Sequence, residues 1–339
     1  MTNSNNQKNG PIFDIPPFIL SGNTSDHELT RTIEVLRKEN LNPDVVMDFE
    51  FFDEGILSGI GEVSALLKLI LPEKTGEAYS LEDGMYVNPG ESVLQIRSSY
   101  ASFATYQTAI SGILASSSGW ATSARACVDA AEGIPIIGNP SRYVHPHVVG
   151  IADFSAVVGG CVATTTLAGH QLHNLVPSGT MDHSFVLLMA DTLRAVNAFD
   201  RHMDLDIPRV ALVDTFSDEI VESIRIGHAM KGRLRGVRLD TPKSRGGVTP
   251  ELVIEINNRL ENENLGYLQI IVSGGITPER IKGFTQAKAP VSGFVVGHYI
   301  AAGTPKTVAA HLKNIDGMNV GKKGLIPGPA VNSRFIQIH

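Results

Sequence analysis

Two residues of opposite charge stand two apart in "RGVRLDTPKSRGG" (235–247): Arg238 and Asp240. Side chains two apart on a strand share a face. A guanidinium that can hold an anion therefore stands beside a carboxylate that can stabilise a cation. They either pair with each other or divide the work between an anion and a developing positive charge. Beyond them the chain turns small, basic and flexible. "VSGGITPERI" (272–281) ends an apolar run and opens a helical pattern. There Ser273, Gly274 and Gly275 let backbone N–H groups approach a phosphate at the positive end of a helix. "FVVGH" (294–298) supplies a second glycine, Gly297, followed by His298. Either turn alone reads equally well as a tight strand–helix connection, but two in succession favour a phosphate site. "VPSGTMDHSFV" (176–186) sets His183 between Asp182 and Ser184, just after a Gly-Thr turn. A histidine there is a base, a hydrogen-bond donor or a phosphoryl acceptor; the plainer alternative is a half-buried histidine with satisfied partners. "NPSRYVHP" (139–146) offers Arg142 and His145 three apart. Arg142 suits bidentate recognition of a carboxylate or phosphate or, equally, a surface ion pair. Asp214 ends the apolar run of "LVDTFSDE" (212–219).

These residues need a scaffold that brings run ends together. "GIPIIG", "SAVVGG", "RVALVDT", "RGVRLDT", "LQIIVSGG" and "SGFVVGH" are short apolar runs that alternate with helical stretches. Continuous apolar runs read as parallel strands buried on both faces. Their number favours an α/β architecture, a β/α barrel over an open sheet, with closure left open and the polar run ends facing one mouth. Upstream the texture differs. "SDHELTRTIEVLRKENL" reads as a helix with Ser25 at its N-cap and Glu28 three residues on. "GILSGIGEVSALLKLIL" is a second helix, and "GEAYSLEDGMYVNPGESVLQIRSSY" is a set of short strands broken by Gly and Pro. The expected organisation is a flexible tail over 1–20, an N-terminal α+β (open-faced sandwich) domain over 21–115 rejoined by 317–339, and the barrel over 116–316.

The chain has 339 residues, enough for a barrel and a smaller companion domain. It is 42% hydrophobic and 19% charged, so it has a core to bury. Its net charge of −7 and lack of a basic block argue against a nucleic-acid grip. Two cysteines outside any C-x-x-C pair argue against zinc and suit a reducing cytoplasm. No apolar run is long enough to span a membrane, and the polar "MTNSNNQKNG" start is unlike a signal peptide.

Taken in order, "NPSRYVHP", "VVGGCVATTTLAG", "PSGTMDHSFV", "LVDTFSDE", "GVRLDTPKSRGG", "VSGGI" and "VVGHYI" resemble the motifs of the nicotinate phosphoribosyltransferase family. The resemblance runs from about residue 21 to 327, with a weaker "GNTSDHELTRT" at the start and a "GKKGLIPG" that looks like the family's basic loop. It implies transfer of ribose 5-phosphate from phosphoribosyl pyrophosphate (PRPP) to the ring nitrogen of nicotinate or a related aromatic acid, with release of pyrophosphate, as in NAD salvage. It further implies an irregular β/α barrel, Mg²⁺ with PRPP, ATP in the coupled members, and a homodimer or higher homo-oligomer with sites shared between subunits. By the same resemblance, His183, Asp240 and Arg238 are catalytic. Arg142 and Thr165 hold substrate, and His145, Ser178, Thr180 and Asp214, from the motifs around them, are expected to join them. Ser273, Gly274, Gly275, Gly297 and His298 cradle the 5-phosphate.

The chain also departs from the family pattern. Glu28 and Leu29 stand where an aromatic residue commonly stacks on the base. Arg142–Tyr143 replaces paired arginines, Val162–Ala163 an Asp-Gly, Gly297–His298 a Gly-Thr or Gly-Ser, and Gln107 a glutamate. Most of these changes fall on the base side and leave the PRPP scaffold mostly intact, so the expectation is that nicotinate is a poor substrate or not the physiological one. Two other readings compete: a catalytically weakened paralogue that binds PRPP or a nucleotide, and a generic phosphate-binding barrel. The absence of a Schiff-base lysine at a strand end weakens the last.

Overall fold

The computed structural model describes residues 12–179 and 181–339. In chain order the first strands are β1 (Asp44–Phe51), β2 (Gly55–Ile56), β3 (Glu77–Ser80), β4 (Tyr86–Val87), β5 (Glu91–Ser99) and β6 (Ile136–Gly138). They are followed by β7 (Val210–Leu212), β8 (Gly236–Leu239), β9 (Gln269–Val272), β10 (Gly293–Val296), β11 (Val308–Ile315), β12 (Met318–Asn319) and β13 (Ile336–Gln337). The chain divides into two compact units. One holds the residues up to Ser123, 171–174 and Gly303–His339; the other holds Ala124–His170 and Leu175–Ala302.

The first unit is built on a six-stranded antiparallel sheet in the order β12-β11-β1-β5-β3-β13. Alternation along β1 sends Val45, Met47, Phe49 and Phe51 into the core, where they join Val93, Leu94 and Ile96. The helix Ile60–Ile70 meets them with Ile60, Val63, Leu66 and Leu67 at helical spacing. Each fully buried side chain of this kind contributes roughly 1.5–3 kcal/mol. The opposite face is polar. Asp48, fully buried, accepts from Gln95 Nε2 at 2.9 Å and from the Ala330 amide at 2.7 Å, and Lys313 pairs with Glu50 at 2.8 Å.

Three expectations change here. The expected tail is ordered well before residue 20, because Ile15 is buried in this core and Pro17–Leu20 forms a helical turn; residues 1–11 of that tail lie outside the described residues. The C-terminal return begins at Gly303 and not at 317, since β11 pairs along the whole of β1. The first long helix starts at His27 with Asp26 at its N-cap, so Ser25 is one residue too early.

The second unit carries a five-stranded parallel sheet in the order β6-β10-β9-β8-β7. Its strands are short and nearly all buried, as a sheet covered on both faces requires. Past β6 the sheet continues as irregular backbone. Ile137 bridges Ala163 in parallel, and the Ser178 amide donates to Thr164 O at 2.7 Å. Among the described residues no ladder joins this stretch to β7, so the expected α/β architecture is present with its parallel sheet as an open arc. The segment that would close it contains Pro177 and the short helix Leu167–His173, and proline has no N–H to give a ladder. "SAVVGG" is also not a strand. It ends the buried helix Val149–Val158, whose small residues pack on every side. Such a run cannot be told from a buried strand by periodicity.

Candidate active site

All the strands that carry the chemistry-bearing runs end on one side, because the sheet is parallel. Arg238 lies on β8 and Asp240 one residue past its end. Their side chains meet, Arg238 Nη2 to Asp240 Oδ2 at 3.3 Å, at 21% and 26% exposure. They are thus paired and still open to the cavity. Arg238 Nε is buried without a protein partner, so one donor of the guanidinium is unspent.

Arg238 borders three cavities, and two of them hold the other candidate residues. The smaller, about 320 Å³, is lined by Arg142, Asp240, Lys243, Ser273, Gly274, Gly275, Gly297 and His298, among others. The two glycine turns expected to cradle a phosphate therefore share one space with the Arg–Asp pair. Their glycines are there for different reasons. Gly274 and Gly275 have φ of +87° and +62°, a region costly for residues with a Cβ. At Gly274 a Cβ would also lie 2.8 Å from Asp240 Oδ1. Gly297 has an ordinary φ, but a Cβ there would lie 2.8 Å from both Asn139 O and a Tyr143 ring carbon. Ser273 differs from expectation in one respect. Its hydroxyl donates to Leu239 O at 2.9 Å, so the side chain ties β9 to β8, while the glycine backbone beside it faces the cavity. His298 packs edge-on against Tyr143 with ring centroids 5.4 Å apart.

The larger cavity, about 650 Å³, is lined by Asn139, Ser141, Arg142, Thr165, Ser178, Asp182 and Arg238, with an apolar wall that includes Met181, Phe185, Phe199 and Met203. Asn139 Oδ1 accepts from Thr165 Oγ1 at 2.9 Å and from Ser141 Oγ at 3.0 Å, which fixes three polar side chains at the rim. Arg142 borders both cavities. Thr180 lies outside the described residues.

His183 opens the helix His183–Met189, capped by Asp182 Oδ1 accepting from the Phe185 amide at 2.9 Å. Its Nε2 lies 3.2 Å from Asp214 Oδ2. The Asp214 side chain is 2% exposed, and its Oδ1 has no protein partner. Burial, offset by His183 and reinforced by the nearby charge of Asp240, holds its carboxyl above the usual range. His145 does not join the site. It is exposed and accepts through Nδ1 from the His147 amide at 3.2 Å, with no link to the other site residues; like His183 and Asp214, it lines neither cavity. It caps its own short turn, Pro146–Val148.

Sequence reasoning missed Asn139, Tyr143 and Lys243. Asn139 and Tyr143 flank Arg142 in the same "NPSRY" turn, and Lys243 is the cation of "PKSRGG", so adjacency was the available signal. Among the described residues no group of three or more His, Cys, Asp or Glu side chains forms a metal cage, and no helix is long and apolar enough to cross a membrane.

Comparison with known proteins bears on the fold and the family. Residues 27–118 match the model of the quinolinate phosphoribosyl transferase N-terminal domain. The nicotinate phosphoribosyltransferase pncB2 of Mycobacterium tuberculosis is 28% identical over 259 residues, which is 74% of this chain and 54% of that protein. The chain thus spans about half the length of the curated relatives it matches. The human nicotinic acid phosphoribosyltransferase structure, 16% identical with a TM-score of 0.66 over 90% of this chain and 77% of its own, shares the fold. The nicotinate-nucleotide pyrophosphorylase of Pyrococcus furiosus superposes with a TM-score of 0.86 over 94% of this chain and 81% of its own, at 32% identity. Likeness of that extent, in sequence and in backbone together, shows that the chain belongs to the type II phosphoribosyltransferase family.

Proposed function

We propose that this protein transfers ribose 5-phosphate from PRPP to the ring nitrogen of a pyridine carboxylate, nicotinate or a related aromatic acid, in NAD biosynthesis. The observation that carries this reading is the Arg238–Asp240 pair beside two glycine turns in one cavity. The C1′–O bond to pyrophosphate breaks as the C1′–N bond forms. The pyridine nitrogen brings its own lone pair, so no proton has to be removed. What the site must supply is charge and position. Asp240 stands where positive charge grows on C1′, Arg238 holds that carboxylate in place from 3.3 Å, and Arg142 and Lys243 meet the anionic groups. The 5-phosphate rests on the Gly274–Gly275 and Gly297 turns, which fixes C1′ for in-line attack.

Mg²⁺ enters with PRPP as part of the substrate. The orphaned Asp214 Oδ1, close enough to Asp240 for their charges to interact, suits a hard cation that needs oxygen ligands. Mg²⁺ there would neutralise the leaving pyrophosphate. In an ATP-coupled reaction His183 is the phosphoryl acceptor, oriented by Asp214. The base site takes its substrate from the larger cavity. A dimer, with each site completed by its partner, fits the family.

Pyrophosphate release from PRPP and Mg²⁺ with a panel of pyridine, pyrimidine and benzoic acids, with and without ATP, tests the reading. Release that depends on one aromatic acid and is lost in Asp240→Asn is expected. No release with any base, in a protein that still binds PRPP, would leave a binding protein in its place. Glu28 marks the altered base side: nicotinate is expected to turn over poorly and to improve in Glu28→Tyr, since ring stacking contributes about 0.5–1.5 kcal/mol.

A further inference from the structure

One cation at this site lies outside both cavities. Arg280, on the helix Pro278–Gln286, is half-buried behind the first glycine turn. Its Nη1 donates to Gly274 O and, at 2.9 Å, to Gly275 O, while its Nη2 donates to Val248 O at 2.8 Å. Gly274, Gly275 and Ile276 line the smaller cavity and Arg280 does not, so the guanidinium touches the turn from its outer side. Val248 closes the "PKSRGG" loop, whose Lys243 lines the same cavity and comes within 3.9 Å of where a Gly275 Cβ would be.

The planar trans peptide fixes the consequence. A carbonyl aimed at Arg280 sends the N–H of the following residue the opposite way. With the Gly274 and Gly275 carbonyls held outward, the N–H groups of Gly275 and Ile276 point into the cavity. Both glycines have positive φ, a region with little side-chain steric preference to fix these two peptide planes. A peptide without such a tie would be free to flip its dipole and present an oxygen to a phosphate. Among the described residues no carboxylate lies within salt-bridge distance of Arg280, so its charge also adds to the positive potential of the turn.

We propose that Arg280 is the positioning residue of the phosphate site. It orients two backbone donors toward the 5-phosphate and fastens the basic loop ending at Val248 to the same turn. The inference rests on the phosphoribosyltransferase reading and adds to it a residue that touches no substrate. It explains why a planar fork stands here. A lysine ammonium is a point donor and cannot hold three carbonyls of two segments in one plane.

The test compares wild type with Arg280→Lys and Arg280→Ala, using PRPP and ribose 5-phosphate as probes in calorimetry and steady-state kinetics. Loss of charged hydrogen bonds of this kind is expected to raise the KM for PRPP and the Kd for ribose 5-phosphate about tenfold or more. The KM for the base is expected to stay within about threefold, with thermal midpoints close to wild type. Arg280→Lys should recover part of the loss, and free guanidinium should recover part of it in Arg280→Ala. Wild-type affinity in both variants would overturn the inference, as would equal losses for PRPP and base without rescue, which mark a general structural role. Wild type that binds neither probe would overturn the transferase reading itself, and this inference with it.

Discussion

Gly274 and Gly275 are neighbours, yet they protect different things. A Cβ at Gly274 presses on Asp240 Oδ1 at 2.8 Å, whereas at Gly275 the nearest atom, Arg280 Nη1, is 3.6 Å away. Both substitutions pay the left-handed backbone cost of about 1–2 kcal/mol. Gly274→Ala should therefore lower kcat about tenfold or more by displacing the carboxylate. Gly275→Ala should chiefly raise the KM for PRPP, because its methyl meets the Arg280 guanidinium that holds the turn and the Lys243 chain beside it. Steady-state kinetics of both decides, and equal KM effects with unchanged kcat would refute the distinction. At this scale the sequence was legible where spacing dictates geometry. Arg238 and Asp240 had to share a face, and the glycine turns had to follow strands. It was not legible where a side chain has a choice of partner. Ser273 could face a ligand or the next strand and does the latter; His145 could turn to the site or to its own loop and does the latter.

Among the elements, the helix Ile60–Ile70 carries a feature no periodicity announces. It begins at Gly59, with φ +105°, and its first amides, Ile60 and Gly61, are met by the Asp83 carboxylate at 2.9 and 3.0 Å. Glu62, 9% exposed, sits in the same first turn. Burial, with the Asp83 charge added, pushes its carboxyl from 4.5 up to about 7. The folded state thus holds a proton that the unfolded chain releases near 4.5. The stability that proton gives is fully present below that value and lost as pH rises through about 7. Glu62→Gln should flatten the dependence. Its advantage over wild type should grow from pH 5 to pH 8 to at most about 3 kcal/mol, read by denaturant titration across that range. Parallel pH profiles of the two proteins would refute it. Elements as a class were readable where apolar pattern, length and end residues agreed, as for β7 to β10. "SAVVGG" failed because small apolar residues suit a buried helix and a buried strand alike.

For the whole molecule, the sequence announced two units from the change of texture near the long central helix, and a C-terminal return. It did not announce how early that return begins, because "TVAAHLKNI" alternates weakly and its partner strand is far away along the chain. β11 covers β1 from Val45 to Phe51. Removing residues 303–339 should bare that edge and the Asp48 carboxylate, leaving a unit prone to edge-to-edge association. Light scattering and near-UV circular dichroism of the truncated chain test this, and a monomeric product with native near-UV signal would contradict it. The same pairing sets a timetable for synthesis. As the chain leaves the ribosome, the parallel-sheet unit is complete once residue 302 has emerged, while the unit that starts first must wait for the last strands. β1 therefore stands with one side unmatched until Val308–Ile315 has been made. The nascent N-terminal segment is the part of this protein most in need of a chaperone's protection.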